Sequence, residues 1–497
     1  MKSFTTSLVL LFCALFGNSE KAQENTTCRN IPGTAGYPSP DLWDALNATI
    51  SGRLVNVVPS TKYCASLPGG GWYDLTPPSL CLRNATTCGQ GDVPIYSVEA
   101  ETVADIQAAV QFASTHNLRL VVKSSGHDYL GRSTAPHSLL VHTVNFKNIS
   151  FADAFFVGKR NVGSAVTVGS GVHVQSLYQA GKQNGKIVVS GCHNSAGHSA
   201  LSPTFGLASD NALEFNVVVA SGDLLRVNIF YALRGGGSGS WDIIISATLR
   251  IFPTFNATSS LIILLALNNA AAASLATVHA QHIFDMDSVR AGQYFFLFKH
   301  STEASTLSVL ALNSYMPNTT TAQSTAILAP FLNASLALPD VQLISQQFVD
   351  GDIDDALFQA DDSVGENTVL GSRLIPAGTY RDSPAKVGQV YKQLLDSGTV
   401  IVLSNSWTDC ATLREIDAIR KQFKTQQLPI LENISGPNAG SYSNEADVLE
   451  AEFKTTFFGP NYAKLSAIKR RYDPKDLFIV PAGVGSDRWD EWGLCQL

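Results

Sequence analysis

The stretch Lys123-Ser124-Ser125-Gly126-His127-Asp128-Tyr129-Leu130-Gly131-Arg132-Ser133 decides the reading of this chain. A short apolar run, Leu118–Lys123, precedes it and a second, Ser138–Thr143, follows; both read as strands. The small residues between them leave backbone N–H groups uncovered, and successive N–H groups of this kind cradle anions such as a pyrophosphate. The loop leads into another strand and not a helix, which separates it from the P-loop class. His127 brings a nucleophilic imidazole close to whatever the loop binds. The alternative is a tight turn whose histidine caps a backbone carbonyl.

Upstream, Thr102 and Asp105 frame a helix start, with Val103, Ile106 and Val110 on one face and Asn117 as its stop. Downstream, a strand at Ser164–Val168 feeds a helix at Val172–Gln183, which Gly185 can end. Lys186–Ser190 is a strand running into Gly191-Cys192. Leu213–Val219 is another, with a turn at Ser221-Gly222-Asp223, and Arg234–Gly239 is a backbone-exposing loop before the strand Ile243–Phe252. From Asn256 onward, strand-like runs (Leu261–Leu267, Tyr294–Phe298, Ser308–Leu312, Thr399–Leu403) alternate with helices such as Ala270–Gln281. This pattern predicts an α+β protein whose second half is an antiparallel sheet backed by helices. Tyr462–Tyr472 is a last helix, closed by Asp473-Pro474.

The chain has 497 residues, 45% hydrophobic and 15% charged, with a net charge of −7. That apolar fraction excludes a disordered chain, and the absence of basic runs argues against a nucleic-acid partner. Lys469-Arg470-Arg471 is read as the solvated face of a helix. Beyond the N-terminus no stretch approaches the roughly 20 apolar residues of a membrane span. Ser7–Gly17 is an apolar core of the length of a secretory signal, with cleavage placed near Ala22. Eight Asn-x-Ser/Thr triplets, at Asn25, Asn47, Asn84, Asn148, Asn256, Asn318, Asn333 and Asn433, agree with an extracellular protein. After Cys13 leaves with the signal, seven cysteines remain, an odd number. Four crowd into Cys28–Cys88, where one or two disulfides would staple an irregular segment; the pairing stays open.

Several chemistries lack their signatures. No G-x-G-x-x-G opens a helix after a strand, no P-loop sequence is present, and Gly236–Ser240 misses the last glycine of a nucleophile elbow. His279-x-x-His282 is an isolated pair on a helix, and no metal site is expected.

The Lys123–Ser133 loop closely resembles the flavin-attachment loop of secreted berberine-bridge-enzyme-like oxidases, members of the vanillyl-alcohol-oxidase superfamily; the fungal isoamyl-alcohol-oxidase-like branch is nearest. The resemblance continues, in the family's order, through Gly206–Asn211, Arg234–Gly237 with Pro253, Gly371–Leu374, Asn461-Tyr462, Tyr472-Asp473-Pro474 and Gly483–Leu494. It implies a signal peptide (1–22), a cysteine-containing segment (23–90), a two-subdomain FAD-binding domain (91–254), a substrate domain (255–455) and a C-terminal segment returning to the FAD domain (456–497). It implies covalent FAD through His127, with Cys192 as a possible second tether to flavin C6; an inert thiol or an ordinary disulfide are the alternatives for Cys192. The cofactor contacts it implies are Ser124, Ser125, Gly126, Asp128, Tyr129, Ser133, Gly197, His198, Gly206, Asp210, Asn461 and Tyr462. The catalytic base it implies is Tyr442, on a strand facing the flavin.

The resemblance implies hydride transfer from a small-molecule substrate, with molecular oxygen as acceptor. Two rivals stand beside it: a dehydrogenase with another acceptor, and a secreted homologue impaired in binding flavin. The second follows from departures from the family pattern. Ser190–Gly197 and Val227–Phe230 are shorter than in relatives, and Asp242 replaces the usual Gly after Trp241.

Overall fold

The segment whose proline and glycine content reads as irregular opens with a helix, α1 (Pro40–Thr49), in the computed structural model. The structure describes residues 27–58, 90–190, 197–228, 231–237, 239–302, 305–357, 368–397, 404–407 and 411–497. Pro40 occupies the first turn, where a missing N–H costs nothing, and Trp43, Leu46 and Ile50 turn one face inward. Cys28 pairs with Cys495, 467 residues away, and not with a neighbour in its own cluster. The backbone explains the choice: Arg29 N–H donates to Leu494 O and Gln496 N–H to Thr27 O, so the first and last described residues run side by side. Cys64, Cys81, Cys88, Cys192 and Cys410 lie outside the described residues.

Strands β1 (Leu54–Asn56), β2 (Tyr96–Glu99), β3 (Leu120–Lys123) and β4 (Leu139–His142) form a sheet in the order β1-β2-β4-β3. β4 pairs in parallel with both β2 and β3. Helix α2 (Val103–Thr115) starts as the sequence predicts, with Thr102 and Asp105 forming a capping box. Its Ile106, Ala109 and Val110 pack against Val98, Leu120 and Val141.

A second, antiparallel sheet follows: β5 (Ile149–Ala152), a small hairpin β6 (Phe156–Val157) and β7 (Arg160–Asn161) outside the sheet, then β8 (Ala165–Gly169), β9 (Lys186–Val188), β10 (Ala212–Val219), β11 (Leu224–Asn228) and β12 (Asp242–Pro253). Its order is β11-β10-β12-β8-β5, with β9 on the far end of β12. Helix α3 (Val174–Gln183) seats Leu177 and Tyr178 on Val166, Val188 and Ile251.

β12 passes directly into the third sheet, β13 (Asn256–Ala266), β14 (Gly292–Thr302), β15 (Ser305–Pro317) and β16 (Val341–Asp352), ordered β14-β15-β13-β16 and antiparallel throughout. Helices α4 (Asn269–His282), α5 (Thr321–Leu336) and α6 (Pro384–Asp396) back it. Ile262, Leu264, Leu310 and Leu312 meet Leu275, Leu328, Phe331 and Leu395 in one core. This is the α+β architecture expected, an antiparallel sheet backed by helices included. β16 escapes a sequence reading because it is an edge strand in which only a few residues such as Val341 and Phe348 turn to the core, so it lacks a period-2 apolar pattern. The expected strand at Thr399–Leu403 lies outside the described residues.

Helix α7 (Tyr462–Tyr472) returns to the first half, where Leu465 packs with Ala232, Trp241, Phe458 and Val484. One reading is corrected here. Lys469 is not solvated; it is fully buried, and its Nζ donates to Asp473 Oδ2, Ser240 O and Phe478 O. Three acceptors at one point are what allow an ammonium group inside a core.

Candidate functional site

The loop after β3 is held from behind and open in front. Ser124 Oγ donates to Ser170 O at 2.5 Å, and His142 Nε2 meets Ser124 O at 3.0 Å while its Nδ1 meets Glu99 Oε2 at 2.7 Å. Ahead of that anchor, Gly126 takes φ +87°, a conformation glycine adopts without strain. Among the described residues, the backbone N–H groups of Ser125, Gly126 and His127 find no acceptor. The half-buried imidazole of His127 makes no hydrogen bond to them either. Beside this loop is the turn after β8. A Cβ on Gly171 would fall 2.3 Å from Val144 O, so this turn lies directly on the backbone that follows β4. The buried Ser170 Oγ has no partner among the described residues. Burial first, then the charges of Lys147 and His127, hold the neighbouring His173 below its ordinary value.

A second group of side chains reaches the loop from the C-terminal part of the chain. Asp128 Oδ2 accepts from Arg132 Nε at 2.7 Å, and Arg132, 7% exposed, donates from NH2 to Asn444 Oδ1 at 2.5 Å. Asn444 Nδ2 donates to the phenol oxygen of Tyr442 at 2.8 Å, and Gly197 N–H donates to the same oxygen at 3.0 Å. A Cβ on Gly197 would stand 3.1 Å from that oxygen, which is why a glycine suits the position. His198 meets the Tyr442 ring edge-on at 5.3 Å, and its Nε2 pairs with Glu445 Oε1 at 3.0 Å. The Glu445 hydrogen bond, the largest cause, raises the His198 pKa. Tyr442 stands in a half-buried loop before a 3-10 turn, and not on a strand as the sequence reading had it.

The other expected site residues divide. Asp128 closes its own loop, accepting from Leu130 N–H as well as Arg132. Tyr129 stands 61% exposed on that loop, and Ser133 is half-buried behind Arg132. Asp210 caps a turn by accepting from Leu207 N–H, and Gly206, at φ +82°, makes that turn possible. Asn461 accepts from Tyr231, and Tyr462 donates to Asp487; burial first and that acidic partner second push the Tyr462 pKa up to about 12. Asn461 thereby ties down the 231–237 loop and Tyr462 the tail. Cys192 lies outside the described residues. His279 bonds Gln293 and stacks on Phe295, with burial pushing it down to about 4, while His282 bonds Asp285; the two rings serve separate partners. No group of three or more candidate metal ligands occurs among the described residues.

Sequence reasoning missed Arg132, Asn444 and Ser170. Arg132 lay inside the Lys123–Ser133 loop and Asn444 two residues after Tyr442, and only the fold shows that they meet.

Three uncommitted N–H groups, an orphaned serine hydroxyl and a free imidazole suit a doubly anionic pyrophosphate beside a ring that the histidine can reach. Fold and site together define a flavoprotein. Residues 94–228 match the FAD binding domain family and residues 441–485 the family described as berberine and berberine like. An uncharacterized FAD-linked oxidoreductase of Arthroderma benhamiae is 31% identical, covering 99% of this chain and 100% of that protein. The flavin-dependent oxygenase ucdF of Aspergillus ustus is 30% identical over 91% of this chain and 98% of its own. The structure superposes on the VAO-type flavoprotein MtVAO615 of Myceliophthora thermophila with a TM-score of 0.82 at 26% identity, covering 95% and 100% of the two chains. The chain belongs to the berberine-bridge-enzyme-like FAD-linked oxidoreductases of the vanillyl-alcohol-oxidase superfamily.

Proposed function

We propose that this FAD-dependent oxidoreductase is a secreted oxidase with covalently held flavin. It takes a hydride from an alcohol, sugar or secondary metabolite and returns the electrons to molecular oxygen as hydrogen peroxide. The observation that carries this is the continuous path Asp128–Arg132–Asn444–Tyr442, which joins the residue next to His127 to a phenol held in a fixed orientation. FAD supplies the two-electron acceptor that side chains cannot. The N–H groups of Ser125, Gly126 and His127 hold its pyrophosphate, the His127 imidazole carries the covalent link, and Cys192 is the candidate for a second.

Tyr442 then serves as the base for the substrate's hydroxyl or amine proton. A phenolate oxygen offers three acceptor positions. Gly197 N–H and Asn444 Nδ2 fill two, which leaves the third for the substrate. His198 at the ring edge, whose pKa the Glu445 hydrogen bond raises, adds positive charge nearby whenever it is protonated. The apolar leader at Ser7–Gly17 and the eight glycosylation triplets support an extracellular location.

The test is a denaturing gel viewed under ultraviolet light, followed by peroxide detection with a panel of alcohols and sugars. A fluorescent band and substrate-dependent peroxide are expected. A fluorescent band with turnover only on quinones would make the protein a dehydrogenase, and a colourless band would remove the covalent link.

A further inference from the structure

We infer that Arg132 is a positioning residue that sets the hydrogen-bond polarity at Tyr442, acting through the side-chain amide of Asn444. The inference rests on Tyr442 as the base only for its catalytic consequence; the orientation itself follows from the donors and acceptors present.

An asparagine amide has a donor end and an acceptor end of nearly the same shape, so its orientation is decided by its neighbours. A guanidinium has only donors. Arg132 NH2 lies 2.5 Å from the Asn444 amide and so requires the oxygen on its side. The NH2 end is thereby turned to Tyr442, 2.8 Å away. Arg132 in turn cannot swing aside. It is 7% exposed, and Asp128, 10% exposed, holds its Nε at 2.7 Å. Its guanidinium also lies beside the Gly237 turn.

With the amide reversed, Asn444 would present a carbonyl oxygen to the phenol. Tyr442 would then donate its own proton to Asn444 and lose a donor that holds the oxygen when it is negative. The arginine thus makes the difference between a tyrosine kept ready to accept a proton and one that is tied down as a donor. Among the described residues, the other charged groups facing Tyr442 are His198 and Glu445, which form their own pair and leave the Asn444 side untouched. The residue four places after Asp128 in the flavin loop therefore links the cofactor side of the site to the proton-transfer side.

Asn444→Asp tests this with almost no change in shape. The introduced carboxylate keeps the Arg132 pair but turns an acceptor to the phenol. Asn444→Ala removes the donor without adding charge. Two readouts are needed on the purified holoenzyme. The first is the ultraviolet difference titration of the Tyr442 phenol, with Tyr442→Phe as the blank. The second is the rate of anaerobic flavin reduction against pH. Flavin content should be unchanged in both variants. In Asn444→Asp the phenol should titrate at higher pH than in the wild type, and the reduction rate at neutral pH should fall about 10- to 100-fold, the worth of one donor to a charged oxygen. Asn444→Ala should shift the same way by less. A phenol titration unmoved by Asn444→Asp overturns the inference. If the titration moves but Tyr442→Phe reduces flavin at the wild-type rate, the wiring stands and the assignment of the base fails.

Discussion

Lys469 in the last turn of α7 and Asp473 at its C-cap form an ion pair at 2.5 Å with no exposed surface on either side chain. The same ammonium holds Ser240 O, two residues before Asp242 at the start of β12. Asp242, which the sequence reading sets against a usual glycine, is 5% exposed. Burial pushes its pKa up to about 8, with Lys469 opposing the rise only in part. One buried cation therefore acts on three carboxyl groups, Asp242, Asp473 and Asp476, and the ion pair it makes is with Asp473.

This arrangement predicts how stability depends on pH. Between its ordinary value near 4 and about 8, Asp242 holds a proton in the folded chain that the unfolded chain has released. The native state binds more protons over that window, so stability falls as pH rises through it. Asp242→Asn should abolish this contribution. The variant should melt close to the wild type at pH 4 and clearly above it at pH 8, since each unit of displacement is worth about 1.4 kcal/mol. Thermal melts at four pH values check this, and a constant gap across them would show that Asp242 is not protonated in the fold.

Elements with a strong local signal were legible from the sequence. Thr102 with Asp105 marked α2 to within a residue, because capping is written in adjacent side chains. α1 and β16 were not: three inward residues among prolines carry little periodicity, and an edge strand with only a few inward residues carries no period-2 pattern. In the site, the His127 loop stood out because its small residues are contiguous. Arg132 and Asn444 are 312 residues apart, and nothing along the chain records that the loop's arginine faces that amide. Lys469 was misjudged for a related reason. Its neighbours Arg470 and Arg471 made a basic run, while its acceptors Ser240 O and Phe478 O are backbone atoms that no side-chain pattern announces.

The Cys28–Cys495 bridge ties the two ends of the described chain together. Arg29 strengthens the same seam, donating to Asp476 O and lying 4.4 Å over the Trp489 ring. Replacing both cysteines with serine should lower stability by about 2–5 kcal/mol, mostly by freeing the unfolded chain. The FAD loop is remote from this seam in sequence and does not touch it. Flavin content at 20 °C should therefore be retained while the melting temperature drops, which flavin fluorescence during a thermal ramp measures. A variant with unchanged melting would show that the noncovalent contacts alone hold the seam.

His127 and Tyr442 predict separable losses. In a Cys192→Ala background, which removes the candidate second tether, His127→Ala should release flavin into the supernatant on acid precipitation, where the chain with His127 intact keeps its colour in the pellet. Tyr442→Phe should keep the pellet yellow while flavin reduction slows by about 10²–10⁴, the range for loss of a general base. If Tyr442→Phe also lost its flavin, the two bonds Tyr442 makes to Gly197 and Asn444 would be serving cofactor retention, and the role of base would have to move elsewhere.

The last prediction concerns occupancy. The alignment with the Arthroderma benhamiae relative runs over 586 positions, so at least 89 of them are gaps in this 497-residue chain. The Ser190–Gly197 segment, which the sequence reading takes to be shorter than the family pattern, contains no Lys or Arg to meet a pyrophosphate. Neutralisation then falls to backbone N–H groups, and those at Ser125, Gly126 and His127 are the ones left open beside the orphaned Ser170 hydroxyl. Each missing donor to a charged acceptor costs about 1.5–3 kcal/mol. Two or three missing donors would weaken the initial capture of FAD by several powers of ten, and the covalent link can form only on flavin already captured. The purified chain should therefore carry clearly less than one flavin per molecule, read from the visible flavin band against protein absorbance. A version carrying the relative's full-length segment in place of Ser190–Gly197 should approach one. Full loading of the unmodified chain would show that the His127 loop and the Ser170 turn suffice alone.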